Sequence, residues 1–129
     1  MLLTNSDFGI PQSDWNAAKE QARNAMIVRA GAERTISYTD LVAEITAVHF
    51  QPHDKRLDHF LAEIASEEDA AGRGMLTVVV VHKTGDMRPG PGFFELAKHL
   101  GRETGDTDAF WILELRRVFD VWGRGQISD

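Results

Sequence analysis

The chain has no cysteine. Disulfides, iron–sulfur clusters and cysteine-ligated zinc are therefore excluded, and a reducing, cytoplasmic setting is the natural expectation. It also lacks any apolar run near the roughly 20 residues that cross a bilayer, so no membrane partner is expected. The opening MLLTNSD reads as too short and too polar for a signal peptide. Positive charge is in short supply: 14 Lys and Arg stand against 20 Asp and Glu, a net charge of −6. Such a balance disfavours nonspecific attraction to nucleic acid or to an anionic membrane.

Several catalytic signatures are missing too. There is no phosphate loop ending in Gly-Lys-Ser/Thr, no Gly-x-Ser-x-Gly elbow and no His-Glu-x-x-His. Gly90-x-Gly92 lacks the third glycine of a dinucleotide fingerprint. An acid-x-Lys nuclease would need an acid where Val81 stands, ahead of His82 and Lys83. No repeat, low-complexity tract or linker is visible. At 129 residues, 43% hydrophobic and 26% charged, the chain reads as one domain over 1–129, with 1–12 and 123–129 expected to be flexible.

What is present begins with helical periodicity. Ser13 is placed to cap a first helix with Trp15, Ala18, Ala22, Ala25 and Met26 on one face, and Gly31 is a natural stop. Arg34-Thr35-Ile36 suits a short strand. Ser37 caps a second helix, with Asp40 at the acidic position of a capping box and Tyr38, Leu41, Val42, Ile45 and Val48 on its apolar face. Pro52 ends that pattern. A third helix starts near Asp54, carries Leu57, Phe60, Leu61 and Ile64, and ends by Gly72.

Met75 to Lys83 contains four consecutive valines and predicts a buried strand, apolar on both faces. A fourth helix is expected over Gly92 to Leu100, and a fifth from Asp106 or Thr107 to Trp122, with Gly123 after it. The fold class is thus α+β and mostly helical. Helix, short strand, helix, helix, long strand is the order of a winged-helix-like core, here with two further C-terminal helices. Two features depart from that model: a helix follows where the wing should turn back, and the third helix is too acidic to read DNA.

Three segments carry a resemblance: Ile36-Ser37-Tyr38-Thr39-Asp40-Leu41, Gly74 to Val81, and Pro89-Gly90-Pro91-Gly92-Phe93-Phe94-Glu95-Leu96-Ala97. Together they resemble a family of small, uncharacterised bacterial proteins, over roughly residues 34 to 122. The resemblance implies a bacterial cytoplasmic origin and no particular activity.

Candidate chemistry gathers after the valines. His82 and Lys83 alternate faces at the carboxyl end of that strand, where ligands often bind in sheets that contain helices. Gly90 and Gly92 let a ligand approach the backbone, the following helix start offers N–H groups, and Arg88 adds a charge-assisted donor. An anion site is one reading; a rigid Pro-Gly turn plugged by Phe93 is the other. Lys83, Arg88, Lys98 and Arg102 against Asp86 and Glu95 give the 82–102 region a local positive excess.

His49, His53 and His59 lie in HFQPHDKRLDH, but Pro52 separates the His49/His53 pair, so no metal and no cofactor are expected. His59 falls on the solvated side of the third helix. His49 falls among Tyr38, Val42 and Ile45, as a buried histidine needing a hydrogen-bond partner. Glu114 points into the apolar arc of the fifth helix. It must pair with a cation, with His49, His82 or Lys83 the candidates, accept several hydrogen bonds or hold its proton; such an acid is either a structural ion pair, an edge residue reaching water or the mark of a site. The expected role is a non-catalytic binding or regulatory module, whose partner is a protein or an anionic group such as a nucleic-acid backbone. The alternative is a small enzyme acting on a phosphorylated or carboxylated substrate through His82, Lys83, Arg88 and Glu114.

Overall fold

The computed structural model describes residues 8–52, 54–83 and 88–127. The expectations for the opening residues, His53 and the extreme C-terminus lie outside them. Among the described residues, five α-helices and one two-stranded parallel sheet make up an α+β, mostly helical architecture. Among the described residues no helix is long and apolar enough to cross a membrane.

Helix α1 spans Gln12–Gly31 and buries Trp15, Ala18, Ala22, Ala25, Met26 and Ala30. Its cap is Pro11, whose φ of −58° is already helical, and not Ser13. Strand β1 is Ile36–Ser37. Ser37 then caps α2, Tyr38–Glu44, its Oγ accepting from Asp40 N–H at 3.0 Å. The apolar periodicity of α2 continues past Glu44, yet the helix stops there. Gln21 of α1 is the cause: its Oε1 accepts the N–H groups of Thr46 and Ala47, both at 2.9 Å, and draws the chain out of the helix. Ile45, Val48 and Phe50 still reach the core from the non-helical segment that follows.

Helix α3, Lys55–Ala70, is capped by Asp54, which accepts from Arg56 N–H at 2.9 Å. It buries Leu57, Phe60, Leu61, Ile64 and Ala65. Trp15, Phe50 and Phe60 interlock at its face, with Trp15–Phe60 edge-on at 5.1 Å and Phe50–Phe60 at 4.8 Å.

The strand expected over Met75–Lys83 is not formed as such. Leu76–Val79 is a 3₁₀ turn, and Val80–Val81 alone is strand β2. Strand β2 pairs in parallel with β1, Ile36 opposite Val80 and Ser37 opposite Val81. The reason is the partner: β1 offers two residues before Ser37 turns into α2, so a longer strand would leave its backbone unpaired in the core. Coiling Leu76–Val79 satisfies that backbone locally. Every residue from Met75 to Val81 is buried. Helices α2 and α3 supply the crossover that a parallel pair requires.

Helix α4, Pro91–His99, starts one residue earlier than the glycine pattern suggests, with proline at its first position. Helix α5, Thr107–Ile127, passes through Gly123 instead of ending at Trp122. It packs on α1 and on the 3₁₀ turn, and that contact outweighs the roughly 1 kcal/mol cost of an interior glycine.

Candidate functional site

The valine segment ends at His82, whose backbone N–H donates to the Arg88 carbonyl at 2.9 Å. The chain then passes Gly90 and enters α4. Tyr38, the first residue of α2, reaches across, and its hydroxyl oxygen accepts the Gly90 N–H at 2.9 Å. The Tyr38 and His82 rings lie 5.1 Å apart at 40°. Between this wall and α3 opens a cleft of about 460 Å³. Its polar lining is Tyr38, Asp58, His59, Thr77 and His82; its apolar lining includes Leu61, Ala62, Phe93 and Leu96. That size and balance suit a small organic ligand.

Burial pushes the Tyr38 phenol up from its ordinary 10.0, against the lowering effect of the Gly90 hydrogen bond, and the nearby Asp58 charge pushes the same way as burial. The phenol therefore keeps its proton at neutral pH.

Of the residues singled out from sequence, His82, Gly90 and Gly92 line the cleft. Lys83 is exposed and does not. Arg88 is committed elsewhere: Nη1 lies 2.7 Å from Asp108 Oδ1, Nη2 donates to Thr107 Oγ1 at 3.2 Å, and the guanidinium stacks over Phe94 and Trp111. The start of α4 is a poor anion cradle. Pro91 has no N–H, and the Phe93 N–H already donates to the Gly90 carbonyl at 3.1 Å.

His49 is exposed, not buried, because α2 ends before reaching it; its Nε2 lies 3.3 Å from Gln51 Nε2. His59 is the reverse case. Its side chain is 14% exposed, flanked by Phe8 at 5.9 Å and Trp15 at 6.3 Å. Its Nε2 lies 3.1 Å from Glu63 Oε2, out of line for a hydrogen bond. Among the described residues no group of three or more potential ligands could hold a metal ion.

Glu114 is buried, as its place in the apolar arc implies, but none of the three proposed cations meets it. Arg102 does, with Nη1 donating to Oε1 at 3.0 Å, and Met75 N–H donates to Oε2 at 2.7 Å. Arg102 also pairs with Asp69. Glu114 thus sits at the start of the valine segment and His82 at its end, so the two do not share a site.

Sequence reasoning passed over a second buried acid. Glu68, 1% exposed, takes Arg73 Nε at 2.7 Å, Arg73 Nη2 at 2.9 Å and Arg23 Nε at 3.2 Å. Burial raises its pKa, but the two guanidiniums outweigh burial and hold the carboxyl below its ordinary range. Its spacing was readable: Glu68 lies four residues after Ile64, on the buried stripe of α3. Tyr38, Asp58 and Thr77 were missed as cleft residues, since no local pattern ties them to residue 90.

No protein-family model, curated protein or solved structure matches the chain.

Proposed function

We propose that the protein is a non-catalytic binding or regulatory module that takes a small ligand in the cleft lined by α3, His82 and the start of α4. The observation that carries this reading is the cleft itself: about 460 Å³, with apolar walls and a few convergent polar groups. The absence of chemistry in this reading rests on dispersal. Glu114 is consumed by Arg102 and a backbone N–H, Arg88 by Asp108, and Lys83 stands off the lining. A winged-helix-like core remains part of the reading through the element order alone; the parallel β1–β2 pairing and the helix after β2 argue against a DNA-reading role.

Fragment screening by NMR on the full chain tests it. Binders should shift the Tyr38, Thr77, His82 and Gly90 signals together. Binders that shift only the exposed Ile112 and Leu113 on α5 would move the functional surface elsewhere. An enzyme acting on a phosphorylated or carboxylated substrate remains the second reading, favoured by the contact of the Tyr38 and His82 rings inside a concave site. Turnover of phosphate or carboxylic esters, lost in His82→Ala, would promote it over the first.

A further inference from the structure

One wall of the cleft has a geometry that defines the ligand more closely. Tyr38 Oη and His82 Nε2 both close on Gly90: a Cβ built there would stand 3.3 Å from the first and 3.4 Å from the second, a tight fit for any side chain. Glycine is what lets the two atoms stand this close to the backbone. The phenol oxygen already accepts the Gly90 N–H, so its own proton is directed elsewhere. His82 Nε2 donates or accepts according to tautomer, and the bond from its backbone N–H to Arg88 fixes where the ring starts from. Two hydrogen-bonding atoms, held by separate elements, therefore stand near each other at one part of the cleft's volume.

The remaining lining decides what can occupy that volume. Leu61, Ala62, Phe93 and Leu96 offer apolar contact. Among the described residues no lysine or arginine lines the cleft, and its carboxylate is Asp58. His59 turns Nε2 toward Glu63. A phosphate dianion placed there would shed its hydration with no lysine or arginine to pair it and with a carboxylate in the same lining. A neutral oxygen would not.

We propose, on the premise that the cleft is the binding site, that Tyr38 and His82 form a two-point subsite for the neutral oxygen of a largely apolar small molecule. An alcohol, ketone or amide fits this description; a phosphorylated ligand does not. The pair discriminates by leaving buried polar atoms unmatched when a ligand lacks the oxygen.

The test uses matched probes on the full chain: 3-phenylpropan-1-ol and 3-phenylpropyl phosphate, titrated by NMR. The alcohol should shift the His82 ring and Gly90 amide signals saturably. The phosphate should bind at least about tenfold more weakly, because it gives up its hydration in a lining that offers it a carboxylate. Tyr38→Phe should weaken the alcohol about fivefold, the usual value of one neutral hydrogen bond. Because Tyr38→Phe also strands the Gly90 N–H, His82→Ala is the companion variant. It removes the other arm without touching that bond, and a similar loss is expected. Phosphate binding equal to or tighter than the alcohol's would overturn the proposed ligand class and leave the cleft as a binding site. Unchanged alcohol affinity in both variants would overturn the subsite. A cleft that takes neither probe would sink the inference together with the reading it rests on.

Discussion

Arg102 and Glu114 clamp the α4–α5 connection onto the start of the valine segment. The guanidinium holds one carboxylate oxygen at 3.0 Å while the Met75 backbone N–H holds the other at 2.7 Å. Glu114→Ala removes an acceptor from both, strands the buried Met75 N–H and leaves Arg102 with Asp69 alone. It should destabilise by roughly 1–3 kcal/mol, the usual cost of an unsatisfied buried donor. Glu114→Leu combined with Arg102→Met should recover much of that loss, with Asp69 then free to face water. Urea melts of the single and double variants measure both. Parental stability in Glu114→Ala would mean that the clamp contributes nothing.

Gly72 and Gly74 give an internally controlled pair. Both have positive φ, +81° and +87°, so an alanine costs about 1–2 kcal/mol at either from backbone strain. A Cβ at Gly72 meets nothing, whereas one at Gly74 comes within 3.1 Å of Glu114 Oε2 and 3.2 Å of Val118 Cγ2. Gly74→Ala should therefore be clearly the worse of the two. Equal melting temperatures would show that the Glu114 carboxylate has room to move.

Glu68 sets the acid limb of the stability curve. Its folded-state pKa lies below the ordinary 4.5, so its contribution is complete above that value and is lost as pH falls through the lowered one. Glu68→Gln should be less stable than the parent at neutral pH, and its stability should depend less on pH below about 4.5. Denaturant midpoints at a series of acidic pH values decide it. Parallel curves for the two proteins would remove Glu68 as the source.

These three predictions show what a linear reading can and cannot reach. Periodicity located α1, α3, α4 and α5 because each buries one stripe, and it marked Glu114 as an acid in an apolar arc. It failed where the deciding partner is distant. Gln21 ends α2 from another helix, and a two-residue β1 turns most of the valine run into a 3₁₀ turn. The lining of the candidate cleft divides the same way. His82, Gly90 and Gly92 were legible from a strand end and a glycine turn. Tyr38 was not, because only the parallel pairing of β1 with β2 brings residue 38 beside residue 90.

Val79 has no exposed surface and lies in the middle of the most buried stretch. Val79→Asp should abolish folding, since a carboxylate there has neither water nor a cation. A soluble variant with a cooperative melt would be the contrary result.

Nucleic-acid binding, if measured, should be weak and strongly salt-dependent. Of the four cations of the 82–102 region, Arg88 and Arg102 are already held by Asp108 and by Asp69 with Glu114. Lys83 and Lys98 are exposed and carry what remains. Fluorescence anisotropy with duplex DNA at two salt concentrations, repeated with both lysines changed to glutamate, should show the residual signal vanish. Tight binding that survives high salt would contradict the assignment.

The packing of α5 against α1 also bears on synthesis. At Gly123 a Cβ would just touch the Gly31 carbonyl, and along their length α1 and α5, far apart in sequence, pack on each other. While the chain is emerging from the ribosome, α1 and the valine segment exist long before the helix that covers them. Their apolar surfaces must wait, open to chaperones and to other nascent chains, until Val118 has cleared the exit tunnel. Stalled at its last residue, the chain still holds Val118 inside the tunnel and should be cut readily by proteases; stalled behind a long added linker, it should resist them.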